Sequence, residues 1–248
     1  VGSLVAGGRL LEDEALVDQV TNLVELPCPV VGSFEARHLD LPPEVLIQEM
    51  KSHQRYFSVV GQDGKLLPRF IAVSNTPVKD EAFSVKGYER VLRSRLSDGR
   101  FFFDEDRRLK LEARLPKLER VVWQGALGSY REKQARMGAL AKGLHAQLNS
   151  PAKLEHVLRA VELSKADLVT SMVGEFPERQ GVMGREYARH DREPEEVALA
   201  IAEHYLPRGA SDGVPTRDEG ALVGLAERFD TIAGIFGIGK GPSGAADP

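Results

Sequence analysis

A chain of 248 residues that is 42% hydrophobic and 28% charged has a globular balance and the length of one large domain or two ordinary ones, which excludes disordered and fibrous classes. No apolar run approaches the ~20 residues of a bilayer-crossing helix. The single cysteine, Cys28, excludes disulfide frameworks and cysteine-built zinc sites. The net charge of −4 argues against a polyanion partner, but residues 85–136 hold 14 Lys+Arg against 8 Asp+Glu, leaving −10 on the remainder. A salt-bridged helical surface accounts for the same charges equally well. The opening VGSLVAGGRL has no initiator Met and no signal-like segment, so a piece of a longer, cytoplasmic protein is expected.

The first region, to about Asn75, mixes helix and strand. Leu16, Val20 and Leu23 share one face of a short helix ended by Pro27, and LPPEVLIQEMKSH starts a second helix with proline in its first turn. RYFSVVGQDGKLLPRFIAVSN reads as a hairpin turning at Asp63-Gly64. The second region, Val78 to about Leu148, reads as helical and basic. Leu92, Leu96, Gly99 and Phe103 form one stripe, with Arg93 and Arg100 on another face. Ser129 and Glu132 make a capping box, opening a helix whose apolar face is Met137, Leu140, Leu144 and Leu148.

The third region, from Ser150, is helical throughout by pattern. Ser150-Pro151 reads as a helix start, and Pro194 starts a helix carrying Val197, Ile201 and His204. Thr216 and Glu219 read as a second capping box before Leu222, Leu225, Ala226, Phe229, Ile232, Ala233 and Phe236. The tail GKGPSGAADP is of low complexity.

Three stretches carry candidate chemistry. GIFGIGKG approaches a phosphate-binding loop through Gly234, Gly239 and Lys240, but Gly241 replaces the metal-holding Ser/Thr and the stretch follows a helix, so Gly237 or Gly239 is expected to end that helix. His190-Asp191, with Asp230 downstream, has the residue types of a metal-dependent phosphohydrolase. Lys165-Ala166-Asp167 stands where its upstream ligands belong, and an ammonium there repels a cation, so no bound metal is expected. KSHQRYF interleaves Lys51, His53 and Arg55 with Tyr56 and Phe57, a mixture suited to phosphates and stacked bases or to the start of a core strand.

Six stretches in order resemble one family: LVDQVTNLVELPCPVVGSFEARHLDLPPEVLIQEMKSHQRYF, LLPRFIAVSN, RVLRSRLSDGRFFFDED, KADLVTSMVGEFPERQGVMGREYARHD, AIAEHYLPR and FDTIAGIFGIGKGPSGAADP. The family is the β subunit of bacterial two-subunit glycyl-tRNA synthetase. The resemblance implies an α+β part with a B3/B4-like module (residues 1–135) and an all-α, HD-superfamily-like domain (136–248). It also implies that ATP- and Mg2+-dependent glycine activation belongs to a partner α subunit in an α2β2 assembly. The β subunit would bind tRNA(Gly) without an aminoacylation site or cofactor of its own.

Phosphate contacts are then expected from Lys86, Arg90, Arg93, Arg95 and Arg100, with Lys51 and Arg55 beside them; Asp98, Asp104 and Asp106 compete for the arginines. Lys165, Asp167, His190, Asp191 and Asp230 would be degenerate HD positions. Tyr88, Gly99 and Ser58 depart from the family's usual residues without removing a charge from the basic segment. The rival reading is an active HD-type phosphohydrolase on nucleotides, which requires metal at His190, Asp191 and Asp230. No membrane contact is expected.

Overall fold

The computed structural model describes residue 5 and residues 7–77, 79–210 and 212–241, except the side chain of His53. The low-complexity tail from 242 onward and His53 in the basic–aromatic run lie outside the described residues. The chain forms two compact units, Val1–Asp104 and Glu105–Pro248. The division expected at 135/136 falls instead inside a helix, Tyr130–Gln147.

In the first unit a curled antiparallel sheet is built from β1 (Gly8–Leu10), β2 (Cys28–Ser33), β3 (Phe57–Gly61) and β4 (Leu66–Ser74), in the order β1-β3-β4-β2. Asp63-Gly64 turns the β3–β4 hairpin as its residue types require: Gly64 takes φ +79°, and the Gly61 N–H closes onto the Lys65 carbonyl at 2.8 Å. One face is covered by α1 (Glu14–Thr21), capped by Asp13, which accepts the Leu16 N–H at 2.9 Å. Leu16 and Val20 join Val5, Phe57, Val59 and Ile71 in the core. Leu23 does not: α1 ends before it, and it is 56% exposed.

The edge strand β2 is closed to further pairing by two features. Pro29 has no N–H to offer, and the Ser33 N–H and hydroxyl both donate to Glu89 Oε1, at 2.9 and 2.7 Å. Gly32 stands opposite Phe70, whose fully buried ring covers it and stacks on Tyr56 at 4.6 Å. After α2 (Pro43–Gln48), with proline in its first turn, comes α3 (Glu81–Asp106), whose Leu92, Leu96, Gly99 and Phe103 are buried as one stripe.

The second unit is mainly helical: α4 (Tyr130–Gln147), α5 (Leu154–Leu163), α6 (Ser171–Glu175), α7 (Val182–His190), α8 (Glu195–Glu203) and α9 (Asp218–Gly237). The Ser129–Glu132 capping box forms with both of its bonds, and Pro194 precedes α8 as expected. Four expectations fail for identifiable reasons. A two-stranded ladder, β5 (Val122–Gln124) and β6 (Gly128–Ser129), interrupts the segment read as helical. Ser150 does not start α5, which begins at Leu154; its hydroxyl donates to Asp218 and accepts the Ala152 N–H. Thr216 does not cap α9, because Glu203 takes both its N–H and its hydroxyl, at 3.1 and 2.5 Å.

The fourth failure concerns part of the α4 face: Met137 is buried as expected and Leu140 and Leu144 are half-buried, but the rest differs. Its buried residues are Lys133, Gln134, Met137 and Ala141, while Leu148 is exposed. Polar residues hold the inner face because their partners wait there: Gln134 Nε2 donates to the Glu162 carbonyl at 2.8 Å and also to that of Ser164. At the end of α9, Gly239 (φ +72°) and Lys240 donate to the Phe236 and Ile235 carbonyls, both at 3.0 Å, a Schellman closure rather than a phosphate loop.

Two glycines separate packing from propensity. A Cβ at Gly32 would lie 2.2 Å from Phe70, whereas one at Gly87 on exposed α3 meets nothing within 4 Å. Gly32→Ala is expected to destabilise by about 1–3 kcal/mol through overpacking, and Gly87→Ala to stabilise by about 0.5–1 kcal/mol. Urea denaturation of the two variants checks the pair.

Candidate nucleic-acid interface

On α3, Lys86, Arg90 and Arg93 follow one another at helical spacing and are all exposed. Arg93 lies 3.9 Å from Glu35; Lys86 and Arg90 make no side-chain hydrogen bond or ion pair among the described residues. Two residues not singled out from the sequence complete this face: Phe83 (76% exposed) and Phe101 (63%). At roughly 100° per residue, Phe83, Lys86, Arg90, Arg93 and Phe101 fall within about 80° of arc, over roughly 27 Å of helix. An exposed ring at each end of a row of three cations gives stacking platforms on the same face as phosphate donors. The aromatic residues would have been legible in the sequence only with the buried stripe fixed first, since Phe103 in the same FFF run is core.

The other expected contacts divide. Arg95 is exposed but about half a turn from Lys86. Arg100 is committed within the fold: it donates to Asp104 at 2.7 Å, to Asp40 at 3.1 Å and to the Arg37 carbonyl at 2.8 Å, and the bonds to the two aspartates raise its pKa. Lys51 is bonded to Asp13 at 2.6 Å. Arg55 is exposed, with its backbone in the left-handed region at φ +54°.

The degenerate metal positions are each claimed by other partners. Lys165 is buried, pairs with Glu227 at 2.5 Å and lies 3.8 Å from the centre of the Tyr205 ring. Burial pushes its pKa down against the pull of Glu227. Asp167 sits wholly inside and accepts the Gly181 and Gly184 N–H groups at 2.6 and 3.1 Å, so it caps α7 from a distant segment. Asp230 accepts from Lys133 at 3.1 Å and Arg136 at 2.6 Å; burial works to raise its pKa, but these two cations outweigh it and hold the carboxyl low. Lys133 also lies 3.9 Å above the Trp123 ring.

His190 is the last residue of α7, and it is exposed. Its Nδ1 accepts from Arg107 Nε and Nη2 at 3.2 and 3.0 Å, and Asp191 accepts the Leu111 N–H at 2.7 Å. Among the described residues no three His, Cys, Asp or Glu side chains are grouped to hold a metal ion.

The profile of the glycyl-tRNA synthetase beta subunit family matches residues 3–248. The chain belongs to that family. It is 68% identical over 243 residues to the glycine–tRNA ligase beta subunit of Myxococcus xanthus, 57% over 242 residues to that of Trichlorobacter lovleyi and 56% over 243 residues to that of Geobacter sulfurreducens. Each match covers 98% of this chain and 35% of the relative, so the chain spans about a third of the length of the beta subunits it matches. Within this stretch of a glycyl-tRNA synthetase beta subunit, the HD-type phosphohydrolase reading has no support, since its histidine and aspartates are tied to arginines, lysines and backbone N–H groups. No helix among the described residues is long and apolar enough to cross a membrane.

His204 gives the buried network a pH signature. It is fully buried, with Nδ1 donating to the Ile201 carbonyl at 2.7 Å, and burial, followed by the Lys165 charge, pushes its pKa down to about 3. Above pH ~6.5 neither state binds its proton; below that only the unfolded state does, so stability falls with pH through the window from ~6.5 to the folded value. Between pH 6.5 and 5.5 the chain is expected to lose about 1 kcal/mol more than its His204→Asn variant. Parallel urea-midpoint profiles for the two would show that His204 titrates normally.

Proposed function

We propose that this chain is a tRNA-engaging, non-catalytic part of the β subunit of a heteromeric, cytoplasmic glycine–tRNA ligase. Its first unit serves as a B3/B4-like module and its second as an HD-like scaffold turned from metal chemistry to RNA handling. ATP- and Mg2+-dependent glycine activation belongs to the α partner in an α2β2 assembly, and no chemical step is assigned to residues of this chain. The observation that carries the reading is the exposed face of α3, where Lys86 and Arg90 make no ion pair among the described residues and Phe83 and Phe101 are exposed on the same face. Arg100, Lys51, Lys133 and Lys165, by contrast, are paired with acids of the fold. Such contacts position a phosphate backbone without reading its sequence.

Charge reversal of Lys86, Arg90 and Arg93 to Glu in the assembled ligase tests this. A hydrogen bond to a charged group is worth about 1.5–3 kcal/mol, so tRNA(Gly) affinity is expected to fall by roughly tenfold or more. The slope of log affinity against log salt should become shallower by about 0.7–0.9 for each phosphate no longer neutralised. ATP–pyrophosphate exchange with glycine should be unchanged, and Arg95→Glu, on the far side of the helix, should have less effect. Unaltered tRNA affinity in the triple variant would remove α3 from the interface.

A further inference from the structure

Two chain segments of the helical unit are fastened side by side. The first runs from Asp106, the last residue of α3, to Leu111; the second runs from Tyr187 in the last turn of α7 to Arg192 just beyond it. Asp106 is the buried anchor: it accepts the Ser171 and Met172 N–H groups at 2.9 and 2.8 Å and the Tyr187 hydroxyl at 3.0 Å. The Leu111–Asp191 and Arg107–His190 bonds close the rest of the seam.

The Arg107 bond decides what His190 can do. With Nδ1 accepting from a guanidinium, the imidazole carries its proton on Nε2. That removes Nδ1 as a metal ligand and leaves an exposed N–H donor with no partner among the described residues. Around it the acids are already engaged. Arg159 holds Glu193 at 2.7 Å, Glu112 at 3.2 Å and Glu162 at 2.9 Å, and Arg189 holds Glu195 at 2.5 Å. Lys110 and Arg192, one on each segment, are exposed and make no side-chain hydrogen bond or ion pair among the described residues.

Arg192 carries a second, independent signal. It sits at φ +67°, donating to the Arg189 carbonyl at 3.1 Å while Glu193 donates to that of Ala188 at 3.0 Å, the closure of α7 that glycine makes best. A side chain there is strained, and an arginine without a partner gives the fold nothing in return. Of the four non-glycine residues in the left-handed region among the described residues, Lys165 uses its charge internally on Glu227, whereas Arg55 and Arg192 do not use theirs. An unpaired cation kept at a strained position points to a ligand outside the chain.

We infer that His190 Nε2, Lys110 and Arg192 form a phosphate-binding site for the backbone of RNA, with Arg107 as the positioning residue that fixes the imidazole. The inference rests on the tRNA-engaging reading above and adds a contact on the helical unit, separate from α3. The site offers one neutral donor and two cations and no arrangement for reading a base edge, so it holds backbone rather than sequence.

The test measures binding of a tRNA(Gly) transcript to the assembled ligase across a salt series. Lys110→Ala and Arg192→Gly are each expected to weaken binding roughly three- to tenfold and to make the salt slope shallower by about 0.7–0.9. His190→Ala should weaken binding with little change in slope, because it removes a donor and no charge. Arg107→Met should show no further weakening when combined with His190→Ala, the coupling expected of a residue that acts through the imidazole. Arg192→Gly should leave the thermal midpoint unchanged or raised, which separates weakened binding from impaired folding. If these variants bind normally while the α3 reversals do not, this site is wrong and the tRNA reading stands. If the wild-type ligase shows no salt-dependent tRNA binding through this subunit, both fail. Loss of α-subunit co-purification with tRNA affinity intact would assign the patch to a protein partner and overturn the inference.

Discussion

Two ammonium groups lie inside the helical unit, and α9 supplies the carboxylates that make this tolerable. Lys133 on α4 meets Asp230, and Lys165, in the segment between α5 and α6, meets Glu227 one turn earlier on the same helix. A buried charge left alone costs several kcal/mol, so removing either acid is far more disruptive than replacing a pair by apolar residues. The faces of both rings are used as well, Trp123 beneath Lys133 and Tyr205 beneath Lys165. α9 is therefore held in register against α4 and the α5–α6 segment by charge as much as by Leu222, Val223 and Ala226.

That constraint decides the fate of the residues that first resemble a metal site. Asp230 is saturated by Lys133 and Arg136, Asp167 is a remote helix cap, and Lys165 places a fixed cation among them. His190 and Asp191 are tied to Arg107 and Leu111. The same residue types that could serve a phosphohydrolase thus serve packing on one side and an exposed donor on the other. Charge is paired inside the helical unit, where it fixes helices, whereas Lys86, Arg90, Lys110 and Arg192 make no ion pair among the described residues.

Local signals were legible in the sequence where their partners are local. Asp63-Gly64 turns the hairpin, Ser129 caps α4 through its own Glu132, the Leu92 stripe is buried, and Gly239 ends α9. What failed depended on residues far along the chain. Thr216 belongs to Glu203 rather than to Glu219, and Lys133 and Gln134 take inner-face positions because Asp230 and the Glu162 carbonyl lie opposite. On α9 most of the expected apolar series is exposed: Leu222 and Ala226 are buried, while Leu225, Phe229, Ile232, Ala233 and Phe236 are not. A periodicity cannot say how wide a stripe the neighbours will cover. The family was carried by long matching stretches, but the exposed rings of α3 and the strained Arg192 needed burial and backbone angles to be seen.

The central claim is that this part of a glycyl-tRNA synthetase beta subunit touches RNA through its unpaired cations. The most direct measurement is site-specific photo-crosslinking of the assembled ligase, with a photoreactive amino acid in place of Arg90 on α3 and, separately, of Arg192 at the end of α7. With saturating tRNA(Gly) at low salt, both positions are predicted to crosslink to tRNA and to lose that product as salt rises. Crosslinks to protein alone at both positions, under conditions where the ligase charges tRNA, would contradict the account.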